Sequence, residues 1–246
     1  MLAPRGWDDL FIKGWSTAAL KQLLGGSVRR FPSTSKRGLL FSGPYGTGKT
    51  VGSLMIASLM EYEKSELCYR DDLSWGYRYQ GEFIHCCGDP KGEQTEPFQV
   101  EFTSCGEVHA NAVASHLDAL TRRASSYGAG LFHGSDKSHF VFDELDCWSI
   151  TAQEKLKGWM TNCPPWVVFY LTTNHPHKID RGVMDRCYHF KMEGGSPQQR
   201  LQILIREFPV LARLDQERLL SEVSKRPSWR ALEDLAVDIE LKLEEA

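Results

Sequence analysis

Eight consecutive residues, Gly43-Pro44-Tyr45-Gly46-Thr47-Gly48-Lys49-Thr50, have the types and spacing that hold a polyphosphate. They follow the apolar run Leu39-Leu40-Phe41 and precede a helical pattern over 53–60. Glycines let the backbone wrap an anion without Cβ clashes. Successive N–H groups and the positive end of the following helix then face it. In the pattern G-x-x-x-x-G-K-T, Lys49 reaches the β- and γ-phosphates and the Thr50 hydroxyl is a ligand for Mg²⁺. The bland alternative, a Gly-rich turn between a strand and a helix, is disfavoured by the full match after a β run.

A second constellation is His139-Phe140-Val141-Phe142-Asp143-Glu144-Leu145-Asp146, an apolar strand pattern ending in carboxylates. Ligands of open α/β sheets bind at that end of a strand. In the form of a Walker B element, Asp143 holds Mg²⁺ directly or through water, and Glu144 acts as general base on the attacking water. A strand ending in an acidic turn is common by chance; an upstream phosphate loop makes it specific. A third position is Asn174, which follows the buried run Trp166–Leu171 and Thr172-Thr173. Beside the acidic strand its amide would lie near the γ-phosphate and orient the lytic water, although an Asn there also simply starts a turn. Cys68, His85, Cys86, Cys87 and Cys105 raise a zinc site, but they lack the paired C-x₂₋₄-C knuckles such sites use, so thiols are the default.

These groups need a scaffold, and 246 residues with 41% hydrophobic and 25% charged composition suffice for one large α/β domain or a core with a small appendage. The net charge of −3 announces no global nucleic-acid field, so any DNA contact falls to local patches. No run approaches the roughly 20 apolar residues of a membrane span. The N-terminal stretch lacks the apolar core of a signal peptide, and seven cysteines without regular pairing suit reduced thiols. A cytoplasmic or nucleoid-associated protein is expected.

Along the chain, Ser16 is an N-cap candidate for a helix whose apolar face is Ala18, Leu20, Leu23 and Leu24. Residues 25–37 read as a loop carrying Arg29, Arg30, Lys36 and Arg37, a solvated run or a phosphate-backbone contact. Residues 61–99 read as an insertion with a small hairpin (Tyr77–Gln80, Glu82–His85) and the aromatics Trp75, Tyr77 and Tyr79 as docking anchors or extra core. A strand pattern spans 98–104, and a helix over 111–125 points Val113, Leu117 and Leu120 inward. It ends in Arg122-Arg123, either a helix-end cation pair or a DNA-facing pair. A further helix spans 152–160. Three amphipathic patterns close the chain: 197–208 (Leu201, Leu204, Ile205), 215–224 (Leu219, Leu220, Val223) and 228–243 (Leu232, Leu235, Ala236, Ile239, Leu243), after a Gly194-Gly195 hinge.

This order of elements resembles an AAA+ ATPase, and within that group it is similar to the clamp-loader subunits: the replication factor C small subunits and their bacteriophage counterparts. The resemblance rests on Pro4-Arg5-Gly6-Trp7-Asp8-Asp9, on Gly38–Thr50, on Asp143-Glu144-Leu145-Asp146 and on Gln153–Met160. It implies an α/β P-loop fold: a three-layer αβα core with a mostly parallel sheet over 1–193, interrupted at 61–99, and a small helical lid over 194–246. Asn174 falls at the sensor 1 position. Asp185-Arg186-Cys187 is similar to the Ser-Arg-Cys motif, which makes Arg186 the finger that acts in trans on a neighbour's nucleotide, with Arg181 as rival. Ser228-Trp229-Arg230 matches the sensor 2 motif, so Arg230 contacts the phosphates in cis. Val51 and Asp185 depart from the usual residues, and the collar that follows the lid in clamp loaders is absent from the pattern.

The resemblance implies ATP and Mg²⁺ as ligands, an oligomer of AAA+ subunits, DNA with contacts from Arg122, Arg123, Lys155 and Lys157, and a client such as a sliding clamp, helicase or transposase. A helicase loader or transposition regulator is the alternative. A polypeptide-threading remodeller lacks its aromatic–Val–Gly pore loop here, and a non-hydrolysing structural subunit does not need Asp143-Glu144.

Overall fold

The run Leu39-Leu40-Phe41 lies fully buried inside a parallel sheet. In the computed structural model, residues 7–24, 31–32, 35–61, 66–69, 75–79, 82–85, 99–126 and 137–244 are described. The chain runs through α1 (Thr17–Leu24), β1 (Gly38–Ser42) and α2 (Lys49–Glu61), then β2 (Glu66–Tyr69), β3 (Trp75–Tyr79) and β4 (Glu82–His85). It continues with β5 (Gln99–Ser104), α3 (Val113–Ser126), β6 (Ser138–Asp143), α4 (Ile150–Asn162), β7 (Val167–Thr173), α5 (Arg181–Asp185) and β8 (Cys187–Lys191). Three helices follow: α6 (Pro197–Glu207), α7 (Gln216–Ser224) and α8 (Trp229–Glu244).

The main sheet has the order β5-β6-β7-β1-β8, and all its pairs are parallel. The inner strands β6, β7 and β1 read as largely continuous apolar runs because helices cover both faces, whereas the edge strands β5 and β8 alternate. Alternation along β1 splits the core in two. Leu39 and Phe41 pack with Leu20, Leu24, Leu54 and Ile56 of α1 and α2. Leu40 packs with Leu117, Leu120, Leu156 and Trp159 of α3 and α4. Right-handed crossovers explain the split: β5, β6 and β7 advance in one direction with α3 and α4 on one face, whereas the return from β1 to β5 leaves α2 on the other.

Gly194 and Gly195 have φ of 77° and 82°, the left-handed region that favours glycine. After them, Ser196 caps α6 reciprocally with Gln199, and Asp215 caps α7. Leu204, Leu211, Val223, Leu232 and Ala236 form a third, separate core among α6, α7 and α8.

Several local expectations change. Ala18 is exposed; the buried face of α1 is Leu20, Leu23 and Leu24, while Ser16 does accept the Ala19 N–H at 3.2 Å. Leu243 is 42% exposed, because the third core ends before the last turn of α8. The segment from Arg181 is a short helix that Asp180 caps by accepting the Val183 N–H at 3.1 Å. The hairpin expected near 77–85 is β3 with β4, and β2 adds a third antiparallel strand. The side chains of Cys68, Trp75, Tyr77, Tyr79 and His85, and Arg29, Arg30, Cys86 and Cys87 altogether, lie outside the described part. Lys36 and Arg37 are used internally: Lys36 Nζ donates to the Asp185 and Cys187 carbonyls at 2.8 and 2.9 Å, and Arg37 to the Pro164 carbonyl at 2.8 Å. Among the described residues no helix is long and apolar enough to cross a membrane.

Candidate active site

Helix α2 begins at Lys49, four residues earlier than its apolar pattern, so its first N–H groups belong to the glycine loop. Gly46 and Gly48 adopt φ of 71° and 86°, and a Cβ on Gly46 would run into the Ser228 side chain. The loop is tied internally: Thr47 Oγ1 donates to the Pro44 carbonyl at 2.9 Å. Lys49 is 7% exposed and donates to the carbonyls of Pro44 at 2.6 Å and Gly43 at 3.0 Å. Burial lowers its pKa below that of an ordinary lysine, opposed by the charges of Asp143, Glu144 and Asp146.

The sheet order sets β7 between β1 and β6, so its last residues enter between the glycine loop and the acidic turn. Asp143 Oδ1 accepts two hydroxyl protons, from Thr50 at 2.7 Å and from Thr172 at 2.6 Å. Thr172 Oγ1 in turn accepts the Glu144 N–H at 2.9 Å. Glu144 has φ 55° and ψ 50°, the one positive φ outside glycine among the described residues. Asn174 Nδ2 is 3.5 Å from Glu144 Oε1, while its Oδ1 is buried without a partner. Asp146 Oδ1 accepts from Thr173 Oγ1 at 2.6 Å and from the Asn174 N–H at 3.3 Å.

The C-terminal helices form the third wall. The Trp229 N–H donates to the Gly46 carbonyl at 2.9 Å, and its indole stacks on Phe11, with centroids 6.1 Å apart. Arg206 of α6 holds both oxygens of Asp9 at 3.1 and 2.9 Å. The cleft has a volume of about 380 Å³ and is lined by Tyr45–Val51, Asp143, Glu144, Thr172, Asn174 and Arg230, with Leu10, Met192 and Ile203 as apolar surface. Tyr45, 66% exposed, stands at the rim with its hydroxyl 3.4 Å from His175 Nε2.

The structure thus brings Lys49, Thr50, Val51, Asp143, Glu144, Asn174 and Arg230 to one cleft. Arg186 is elsewhere, donating to Thr161 Oγ1 at 3.0 Å and the Gly182 carbonyl at 2.8 Å; Arg181 is exposed beside it. Arg123 forms a bidentate pair with Glu101 at 3.1 and 2.9 Å, and Lys157 lies 3.3 Å from Asp180 and 3.8 Å from Glu154. Arg122 and Lys155 are exposed on α3 and α4. Among the described residues no group of three or more His, Cys, Asp or Glu side chains could hold a metal, and burial raises the Cys105 thiol, which disfavours a thiolate ligand. The sequence reading missed Thr172, Thr173, Asp146, Asp9 and Trp229 as parts of the site. The run Thr172-Thr173-Asn174 carried a signal: three hydrogen-bonding side chains ending an otherwise apolar strand.

No protein-family model matches the chain. Over 154 residues, 61% of its length, it is 25% identical to DNA polymerase III subunit tau of Bacillus subtilis (strain 168), and it spans 23% of that relative. Among solved structures it is similar to the FIGL-1 AAA domain in complex with ADP, with a TM-score of 0.50 and 17% identity, covering 87% of this chain and 63% of that one. With its five-stranded parallel sheet between helical layers, the chain has the α/β P-loop fold of an AAA domain.

Proposed function

We propose that the chain is an AAA+ ATPase that binds ATP with Mg²⁺ in this cleft, hydrolyses it, and works in an assembly of AAA+ subunits on DNA in the manner of a clamp loader. The observation that carries the reading is the convergence of Lys49 and Thr50 with Asp143, Glu144 and Asn174 at the C-terminal edge of β1, β6 and β7. The donor set suits the metal: a hydroxyl and a carboxylate are the hard oxygens that Mg²⁺ takes. Thr50, by giving its proton to Asp143, turns its lone pairs outward. Bound there, Mg²⁺ would neutralise charge on the phosphate oxygens.

The protein's own groups do the rest. The glycine loop presents N–H groups to the phosphates, and Lys49 exchanges its loop carbonyls for phosphate oxygens. Glu144 accepts a proton from the attacking water. Asn174, whose buried Oδ1 has no partner, accepts a hydrogen bond from that water and aims it. Arg230 meets the phosphates from α8. Residues 194–246 act as a lid on a 1–193 core; the separate core of α6, α7 and α8 supports that division, and the ties from Trp229 to Gly46 and from Arg206 to Asp9 fasten the two together. Arg186, away from its own cleft, serves a neighbour's nucleotide in trans. The likeness to a DNA polymerase III subunit supports a role on DNA. Contact through Arg123 or Lys157 would have to displace Glu101 or Asp180, so Lys155, exposed on α4, is the better candidate.

Glu144→Gln tests the reading. It should bind ATP as the wild type does and release phosphate slower by about 10²- to 10⁴-fold, the usual contribution of a general base. Full turnover by this variant removes Glu144 as the base; a wild type with no ATP-dependent phosphate release removes the ATPase.

A further inference from the structure

We infer that Thr172 is a positioning residue for the metal and the base, an assignment that rests on the nucleotide reading above. Its hydroxyl is used in both directions. It gives its one proton to Asp143 Oδ1 at 2.6 Å and accepts the Glu144 N–H at 2.9 Å. One side chain therefore bridges the carboxylate that would hold Mg²⁺ and the backbone of the residue that would take the water's proton. Thr172 is 1% exposed and lines the cleft, so its own rotamer is locked by packing.

The structural alternative is a β-branched residue that merely suits the end of a buried strand. A valine would serve that purpose equally. Only the hydroxyl explains why Asp143 Oδ1 receives a second proton donor besides Thr50. With both donors on Oδ1, the rotation of the Asp143 carboxylate is fixed. The Glu144 N–H needs its acceptor for a different reason. With φ of 55° and ψ of 50°, this amide is turned out of the β6 ladder and toward β7, where Thr172 is the group that meets it. Thr172 acts through Asp143 and Glu144.

The test separates metal binding from folding and from turnover. Mg²⁺ is titrated into wild type, Thr172→Val and Thr172→Ser, each with a fluorescent ATP analogue, and a parallel series in EDTA reads metal-free binding. Loss of an outer-shell partner weakens metal affinity about 10- to 100-fold. Thr172→Val should therefore raise the Mg²⁺ midpoint by at least about 10-fold while leaving binding in EDTA unchanged, and Thr172→Ser should restore the wild-type midpoint. An unshifted Val midpoint, or a Ser variant as weak as Val, overturns the inference. Thr172→Ala, which removes the hydroxyl without asking the pocket to accept a second methyl, must show the same shift and covers the case of a misfolded Val variant. A wild type that fails to bind the analogue in either series overturns the nucleotide reading itself. Mg²⁺-dependent wild-type binding with an unshifted Val midpoint overturns the role of Thr172 alone.

Discussion

Lys49 is buried among loop carbonyls and held below the usual lysine pKa, chiefly by desolvation and against the pull of Asp143, Glu144 and Asp146. A triphosphate favours the protonated ammonium. In the alkaline window between the depressed pKa and the ordinary lysine value of about 10.4, the unliganded protein has lost this proton and binding must restore it. Nucleotide affinity should therefore fall as pH rises through that window, with uptake of protons on binding. Calorimetry in two buffers of different ionisation enthalpy reads this directly; proton release, or affinity that rises with pH, contradicts it. At this scale the sequence was legible wherever the chemistry is local. Lys49 and Thr50 are neighbours, as are Asp143 and Glu144, and spacing alone names them. Thr172 was not legible, because its partners lie across the β6–β7 register, 28 and 29 positions away. Nothing in a period-two pattern says which acid each hydroxyl of Thr172-Thr173 meets.

Helix and strand ends, more than their middles, build the cleft. The apolar pattern placed α2 from Ser53, yet the helix starts at Lys49, since its first turn is specified by glycine geometry and not by apolar spacing. Helix α5 escaped notice for a similar reason: five residues give no amphipathic period, and only the Asp180 cap marks its start. The apolar runs of β1, β6 and β7 and the alternation of β5 were readable, and so were the three C-terminal helices, although Leu243 shows that a heptad-like spacing does not reveal where a core stops. The link before α6 is open to test. Gly195 sits at φ 82°, and a Cβ there would press on the Phe11 ring that stacks on Trp229. Gly195→Ala should cost about 1–2 kcal/mol from the left-handed backbone alone. That corresponds to a melting temperature lower by about 2–8 °C for a chain of this size. An unchanged melting curve would show that this linker takes up another backbone conformation at no cost.

At the scale of the whole molecule, the surface around Arg186 is built as firmly as the cleft. Lys36 fastens the carbonyls on either side of it, at Asp185 and Cys187, and the guanidinium is held by Thr161 and Gly182. An arginine so placed does not line its own cleft, and under the proposed trans arrangement it would act on a second subunit's nucleotide. Arg186→Ala should retain ATP affinity and lose phosphate release by about 10³-fold or more, as removal of a trans-acting arginine does. Mixing it with Lys49→Ala should restore part of the activity, because an interface that pairs the intact cleft of the Arg186→Ala subunit with Arg186 of the Lys49→Ala subunit is a complete site. No recovery on mixing, with both variants folded, removes the trans arrangement and returns Arg181 to consideration.

The hydrogen bond from the Trp229 N–H to the Gly46 carbonyl has one more consequence. The indole lies on the phosphate loop, 3.7 Å from where Gly48 would carry a Cβ, and against Phe11 on its other flank. Any swing of α8 away from the loop must break that bond and unstack the ring. Trp229 is therefore an optical gauge already installed in the molecule: its emission should shift when the cleft fills, and a version of the protein with the other six tryptophans replaced would let that signal be followed turnover by turnover.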